Sequence, residues 1–160
     1  MFARTHRDLQ GLRRSVERTQ KLSDSVIKLG PFSLGMDGVL GWVPGLGFAY
    51  SVGAGGFLIV QAVRARARPA TLLKMIGFLT ADSLTDAIPI PLAPAVADMV
   101  FTGHKWAADA LLKHLDETLY YEGSKHDAEA DPAFRQHLQD LAGRRRSGAP
   151  LKAKRIVYLE

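Results

Sequence analysis

The sequence predicts an all-α fold, and three observations lead to this prediction. Apolar residues recur at helical spacing near the N-terminus, a long uncharged stretch follows, and proline and glycine divide the hydrophobic segments into helix-sized pieces. With 160 residues, of which 47% are hydrophobic and 23% charged, the chain suits one globular domain. It contains no Cys, which excludes disulfides, thiolate nucleophiles and Cys-ligated metal centres.

The first predicted element is an amphipathic helix from about residue 5 to Leu29, ended by Gly30-Pro31. Its apolar stripe consists of Leu9, Leu12, Val16, Leu22, Val26 and Leu29. Basic residues lie off this stripe, namely Arg13, Arg14, Arg18 and Lys21. Two interpretations stay open: these bases contact the anionic headgroups of a membrane, or they form the solvated outer face of a helix packed on the domain.

The second segment, residues 38–63, contains no charged side chain. It is longer than the roughly 20 residues that a helix needs to cross a bilayer. Pro44 and Gly45 interrupt it near its start and both flanks are basic, so it either spans the membrane or enters and leaves on one side. Small residues recur at every fourth position and predict close helix packing: Gly41, Gly45, Ala49 and Gly53. The bases after the segment are predicted to contact anionic lipid, namely Arg64, Arg66 and Arg68.

The third segment, from Leu72 to about Phe101, repeats this plan. The spacing from Asp37 to Pro44 equals that from Asp82 to Pro89, which predicts an internal duplication of a helix, a break and a second helix. The predicted helix breaks are Pro44, Pro89, Pro91 and Pro94. After the second break a helix is expected to resume at Ala95 and to continue to about Tyr121. The two broken hairpins are expected to pack against each other.

The C-terminal part is predicted to be a polar appendage. Residues 122–131 carry several acids and few apolar side chains, which is typical of a solvated linker. Asp131 and Pro132 begin a short helix that Gly143 is expected to end, and a basic tail follows. The predicted boundaries are therefore 1–121 for a helical, membrane-associated domain and 122–160 for the appendage.

Three carboxylates are candidate ligands of a metal ion. Asp82 and Asp86 lie four residues apart, on one face of a helix. Asp98 follows the proline break, and the chain can fold back there so that Asp98 lies near the other two. Such a cluster suits a hard cation or a proton relay. In the alternative, which we favour from the sequence, Asp82 caps or ends a helix, and Asp86 faces water or pairs with Lys74 or Lys105. Walker, Rossmann and nucleophile-elbow motifs are absent from the sequence, so it predicts neither catalytic residues nor a cofactor.

Several of these motifs together resemble domain-of-unknown-function family 4112. The resemblance covers residues 21–115 and rests on Leu22-Ser-Asp-Ser25, Gly35-Met-Asp37, Leu40-Gly41, Val43-Pro44-Gly45-Leu46-Gly47, Arg64-Ala-Arg66, Asp82, Ala87-Ile88-Pro89 and Asp98. The chain departs from the family pattern at Phe48, where the family has an acid, and at Pro91 to Pro94, where it has a Gly-Asp pair. The resemblance implies a small, mostly helical, membrane-associated protein without an assigned activity.

The sequence thus predicts a non-enzymatic helical protein of the bacterial inner membrane that acts through helix packing or oligomerisation. Membrane lipid is the expected partner, and a second copy or another membrane protein is a further one. Nucleic acid is not expected, because no aromatic residues are interleaved with the bases of the tail at 144–155 and no nucleic-acid-binding motif accompanies them. Two alternatives stay open: a soluble helical interaction module, and a small ion-binding or transport-like protein with broken helices.

Overall fold

The computed structural model describes the backbone of residues 2–24, 28–29, 32–33, 46–87, 94–148 and 153–160, and the side chains of 2–21, 52–81, 103–148 and 153–160. Most of these residues are helical, as predicted. The described helices are α1 (His6–Asp24), α2 (Leu46–Arg64), α3 (Pro69–Ala87), α4 (Pro94–Asp116), α5 (Lys125–Ala130) and α6 (Pro132–Arg146). The described strands are β1 (Lys28–Leu29), β2 (Phe32–Ser33), β3 (Thr118–Glu122) and β4 (Arg155–Leu159).

The core is built around α4, which contacts α1, α2 and α3. Its buried apolar side chains follow a helical period and are Ala107, Ala108, Leu111 and Leu115. Val16 of α1, Leu58 of α2 and Met75 of α3 pack against them and are fully buried. Each of these three side chains contributes about 1.5–3 kcal/mol through its transfer from water. The small side chains of α4 let the other helices approach it closely.

The amphipathic N-terminal helix is confirmed over His6–Asp24, and the buried residues Leu9, Leu12 and Val16 belong to its predicted stripe. The predicted end at Leu29 is wrong, because Lys28–Leu29 form β1 and pair antiparallel with β2. Leu29 lies opposite Phe32.

Of the four predicted helix breaks, the structure describes Pro94. The third segment was expected to begin at Leu72, but α2 ends at Arg64 and α3 already begins at Pro69. Pro94 is the first residue of α4. Proline fits this position because the N–H group of a first helical residue has no hydrogen-bond partner within the helix. Pro44, Pro89 and Pro91 lie outside the described residues, as does Asp37 of the predicted duplication.

The chain after α4 contains a small sheet that the all-α prediction lacks. The helix was expected to continue to about Tyr121, but it ends at Asp116, and Thr118–Glu122 form β3. β3 and β4 pair in parallel, with Thr118 opposite Arg155 and Glu122 opposite Leu159. Both segments are rich in aromatic and β-branched residues, Thr-Leu-Tyr-Tyr and Ile-Val-Tyr-Leu, which fit a pleated and half-buried surface.

Two helices connect β3 to β4. The expected linker contains α5, because Ser124 and Asp127 form a capping box: Ser124 Oγ accepts from Asp127 N at 3.1 Å, and Asp127 Oδ2 accepts from Ser124 N at 2.9 Å. The short helix predicted after Asp131 is confirmed as α6, and Asp131 Oδ1 accepts from Ala133 N at 2.9 Å. Gly143 does not end this helix, which continues to Arg146.

The turn between α2 and α3, residues 65–68, holds the C-terminal strand. Arg66 donates to the carbonyl oxygens of Tyr158 at 2.6 Å and Glu160 at 3.1 Å. In return, Arg155 Nη1 donates to Arg66 O at 2.9 Å. Arg66 has a φ of 52°, in the left-handed region, and this reverses the chain between the two helices. We call this set of contacts the turn–strand clasp. The tail predicted to be free of the domain is therefore packed on it over residues 153–160.

A second small core joins the two ends of the described chain. It consists of Ala3, Leu9, Val157 and Leu159, with Tyr120 packed against it. Tyr120 also donates its hydroxyl proton to Ala65 O at 3.0 Å, so β3 is bound to the same turn that holds β4. Burial raises the pKa of Tyr120 to about 12, which keeps the hydroxyl a donor at physiological pH.

We expect Arg66→Ala to lower the free energy of unfolding by about 2–4 kcal/mol, because it removes two hydrogen bonds from a charged donor to backbone carbonyls. Urea unfolding followed by circular dichroism measures the change. The matched control is Arg144→Ala on the exposed surface of α6, which is expected to change stability by less than about 0.5 kcal/mol. Equal effects of the two substitutions would contradict the clasp.

Candidate functional site

The outer side of α2 is an uncharged face open to solvent. It consists of Val52, Gly53, Gly56, Phe57, Val60 and Val63, and we call it the α2 apolar face. Val60 is 55% exposed and Phe57 39% exposed, while Leu58 and Ala62 on the opposite side are buried. α2 is thus apolar both towards the core and away from it. A helix that is apolar all round is typical of a segment enclosed by protein or by lipid.

The basic residues predicted to contact lipid fall into two groups. Arg66 and Arg68 bind backbone carbonyls of the C-terminal segment, Arg68 through Lys154 O at 3.1 Å. Their hydrogen bonds therefore have a structural role that sequence reasoning missed. Arg64 lies at the end of the α2 apolar face and donates to Gln61 Oε1 at 3.4 Å. It is the first charged residue of α2.

On α1, Arg13 pairs with Glu17 Oε1 at 3.0 Å and with Asp116 Oδ1 at 2.6 Å. The hydrogen bonds to these two carboxylates raise the pKa of Arg13. The other three predicted bases, Arg14, Arg18 and Lys21, are exposed. Because the apolar stripe of α1 faces the core, this helix can meet a membrane only through its basic side. The structure thus favours the interpretation of α1 as a packed helix with a charged outer face.

Of the predicted small-residue stripe, Gly53 lies where side-chain surroundings are described. A Cβ built there would meet no atom within 4 Å, so no helix of the described chain packs against it. Gly41, Gly45 and the side chain of Ala49 lie outside the described residues. Gly55 is the glycine at a close helix contact: a Cβ there would lie 3.3 Å from Leu79 and 3.6 Å from His104.

The candidate metal ligands can be placed on the backbone only. Asp82 and Asp86 belong to α3 and Asp98 to α4, and their side chains lie outside the described residues. Among the side chains that the structure does describe, no three His, Asp or Glu form a group that could hold a metal ion. Within the described ranges, no helix combines the length and the apolar character required to cross a bilayer.

A trough of about 710 Å³ runs between α3 and α4, and sequence reasoning did not anticipate it. Its charged lining comprises four cationic groups and two carboxylates: Arg68, Lys74, Lys113, Lys154, Asp109 and Glu117. Phe78 and Trp106 form its aromatic wall, with ring centroids 5.6 Å apart in an edge-to-face arrangement. We call this site the basic trough.

Two contacts fix the direction of the trough. At one end Thr71 Oγ1 lies 3.3 Å from His114 Nδ1, and at the other Phe78 meets Trp106. The helices therefore run antiparallel along it, and its two ends are about 10–12 Å apart at 1.5 Å per residue. The aromatic pair occupies one end, and Arg68, Lys113 and Lys154 lie towards the other. Lys74 lies between the ends.

The carboxylates of the trough are already bound. Glu117 accepts from Lys154 Nζ at 2.6 Å, and this hydrogen bond lowers the pKa of Glu117. Asp109 accepts from Gln20 Nε2 at 2.6 Å. The side-chain ammonium groups of Lys74 and Lys113, by contrast, make no hydrogen bond or ion pair with any residue that the structure describes. The basic trough thus carries two cationic groups that a ligand can use.

His114 lies beneath the basic end and joins three elements. Its Nδ1 lies 3.3 Å from Thr71 Oγ1 of α3, and its Nε2 lies 3.4 Å from Thr118 Oγ1 of β3. The residue is buried. Burial lowers the pKa of His114, and the positive charges of Arg155 and Arg68 lower it further, while Glu117 opposes them. The ring is therefore neutral at pH 7.

We expect the folded protein to lose stability as the pH falls below about 6.5, the pKa of an unperturbed histidine. In this range His114 binds a proton in the unfolded chain but stays neutral in the folded protein, so the fall in pH favours the unfolded state. The contribution of His114 is fully present above that pH and is lost as the pH falls towards its lowered pKa. In His114→Gln this part of the pH dependence should be absent. Urea unfolding between pH 7.5 and 5 measures it, with exposed His137→Gln as the control. A wild-type slope in the His114 variant would contradict the assignment.

The chain matches a protein-family model over much of its length. The model, described as "Domain of unknown function (DUF4112)", covers residues 12–115, from within α1 to near the end of α4. The match includes the α2 apolar face and the α3 and α4 walls of the basic trough, whereas β3, β4 and Lys154 lie beyond it. No curated protein and no solved structure matches the chain. The family match confirms the resemblance seen in the motifs, and the chain belongs to the DUF4112 family.

Proposed function

We propose that this protein is a non-enzymatic, membrane-associated helical protein that lies on an anionic bilayer with its α2 apolar face towards the acyl chains. The observation that carries the proposal is this face, which is uncharged and exposed to solvent from Val52 to Val63. Moving one Val or Phe side chain from water into an apolar phase contributes about 1.5–3 kcal/mol. Lipid contact would therefore remove the cost of keeping Phe57 and Val60 in water.

The charge distribution supports an anionic surface as the partner. The chain has a net charge of +5, and Arg64 lies where the α2 apolar face ends, at the depth of the headgroups for a helix lying in the interface. Each base near an anionic surface contributes about 1 kcal/mol. Arg14, Arg18 and Lys21 of α1 are exposed and add to the attraction if α1 approaches the same surface. The inner membrane of a bacterium offers such a bilayer.

The packing of α2 favours a helix that lies in the interface. Leu58, Gln61 and Ala62 face the core on one side of α2, so lipid can reach this helix only from the other side. With its inner side bound to the core, α2 would lie along the membrane surface and not across the bilayer. Leu73 of α3, which is 70% exposed, offers a further apolar side chain.

Three finer parts of the proposal concern residues whose side chains the structure does not describe. Gly41, Gly45 and Ala49 together with Gly53 would let a second copy approach on the membrane. A duplicated unit of helix, break and helix would place Pro44 and Pro89 at corresponding positions in two hairpins. A cation at Asp82, Asp86 and Asp98 would belong to the second of these units.

We expect Val60→Asp to weaken binding to vesicles of phosphatidylglycerol at least tenfold, because it removes an apolar contact and places a negative charge against an anionic surface. Co-sedimentation of the full chain with the vesicles measures the partition. Wild-type protein should bind phosphatidylcholine vesicles more weakly than phosphatidylglycerol vesicles. The matched control is Gln139→Asp on the exposed surface of α6, and circular dichroism verifies that both variants fold.

Two outcomes would refute the proposal. One is vesicle binding by Val60→Asp that equals that of the control. The other is a change of oligomeric state in Val60→Asp, seen by size-exclusion chromatography, without any change in vesicle binding. The second result would assign the α2 apolar face to contact between copies of the chain.

A further inference from the structure

We propose that the basic trough binds an anionic amphiphile, a small molecule with a phosphate or carboxylate group at one end and an apolar chain or ring at the other. This inference goes beyond bilayer association and does not rest on it. The trough is lined by α3, α4 and residues 68, 117 and 154, and no residue of the α2 apolar face lines it. Its volume of about 710 Å³ lies in the range of small-molecule sites.

The basic end of the trough has the means to hold an anion. The N-terminus of α3 and the C-terminus of α4 meet there, so their helix dipoles oppose each other and the side-chain charges decide the sign of the potential. Lys154 is neutralised by Glu117 at 2.6 Å. Arg68 uses one N–H group on Lys154 O in the described contacts, and a guanidinium has five.

Lys113 and Lys74 provide the available charge. Lys113 lies one helical turn from Asp109 and from Glu117, whose carboxylates accept hydrogen bonds from Gln20 and Lys154. Neither ammonium group has a hydrogen-bond or ion-pair partner among the residues that the structure describes. A phosphate or carboxylate oxygen would therefore gain charge-assisted hydrogen bonds without breaking an existing pair.

The other end of the trough favours an apolar group. Trp106 is 46% exposed although it lines a concave surface, and Phe78 supports it edge to face. Between the two ends lie the small side chain of Ala110 and the charged side chains of Lys74 and Asp109. A ligand that spans the trough is therefore about 10–12 Å long, charged at one end and apolar at the other. A free inorganic anion would leave the aromatic end uncovered.

The first experiment titrates the full chain, as the Trp42→Phe variant, with three probes below their micellar concentrations. Trp106 is then the remaining tryptophan of the two and reports on the aromatic end. Dodecyl phosphate is expected to bind saturably and to change the Trp106 emission. Dodecylphosphocholine has the same chain without net charge and is expected to bind at least tenfold more weakly. Inorganic phosphate is expected to leave the emission unchanged. Calorimetry on the unsubstituted chain gives the same affinities independently of the Trp42 substitution.

The second experiment places the anion. Lys113→Gln and Lys74→Gln are each expected to weaken dodecyl phosphate binding about tenfold, the loss typical of one hydrogen bond to a charged group. Both residues are exposed, so the variants should fold. The matched control is Lys125→Gln on α5, which lies outside the trough and pairs only with Glu129 at 3.6 Å in the described chain.

Three results would overturn the inference. The first is equal binding of the two dodecyl probes, and the second is binding of inorganic phosphate as tight as that of dodecyl phosphate. The third is an equal loss of dodecyl phosphate affinity in the Lys125 control and in the two trough variants. Equal dodecyl binding would indicate apolar adsorption alone, and tight inorganic phosphate binding would indicate a site for free anions. Val60→Asp is expected to keep the full affinity for dodecyl phosphate. A failure of membrane association and a failure of the trough ligand are therefore distinguishable.

Discussion

The turn–strand clasp is the constraint that places the C-terminal strand and, through it, the basic end of the trough. A five-residue strand at the edge of a two-stranded sheet would leave backbone carbonyls without donors. Arg66 supplies those donors to Tyr158 and Glu160, and its own carbonyl accepts from Arg155. The clasp thus joins the α2–α3 hairpin to β4, and β4 joins it to β3 at the end of α4. The same contacts bring Lys154 to Glu117 and so complete the basic end of the trough.

The two proposed surfaces use the helices in different ways. The α2 apolar face lacks charge and a concave shape, so it suits a large fluid partner such as a bilayer, which needs no specific geometry. The basic trough has charge at one end, aromatic rings at the other and a defined length, so it suits a single molecule. α3 and α4 line the trough with residues spaced three or four apart, such as Thr71, Lys74 and Phe78, while Met75 and Leu111 on their other sides fill the core. One pair of helices therefore serves both stability and recognition.

Local patterns predicted most of the helices, and non-local contacts explain what the sequence did not reveal. The apolar period of α1 and the cap formed by Asp131 and Pro132 are properties of a few neighbouring residues, and both were found. The capping box of Ser124 and Asp127 is equally local, but the acidic composition around it is typical of a linker and so did not predict a helix. β3 and β4 contain residues that favour strands, but both are short and their pairing partners lie more than thirty residues away, so neither segment alone predicts the sheet. The trough combines Lys74 with Lys113 from different helices, and their common site depends on the register of α3 against α4.

The parallel pairing of β3 with β4 has a consequence for the order in which the molecule assembles. Contacts between α3 and α4 close over a short connection, whereas Glu117 and Lys154 are separated by 37 positions along the chain. Closing the longer loop costs more entropy before any contact offsets it. The helical core should therefore form first and the last strand should dock onto it late. Its amide protons would then exchange with solvent through partial openings that leave α4 and its neighbours folded.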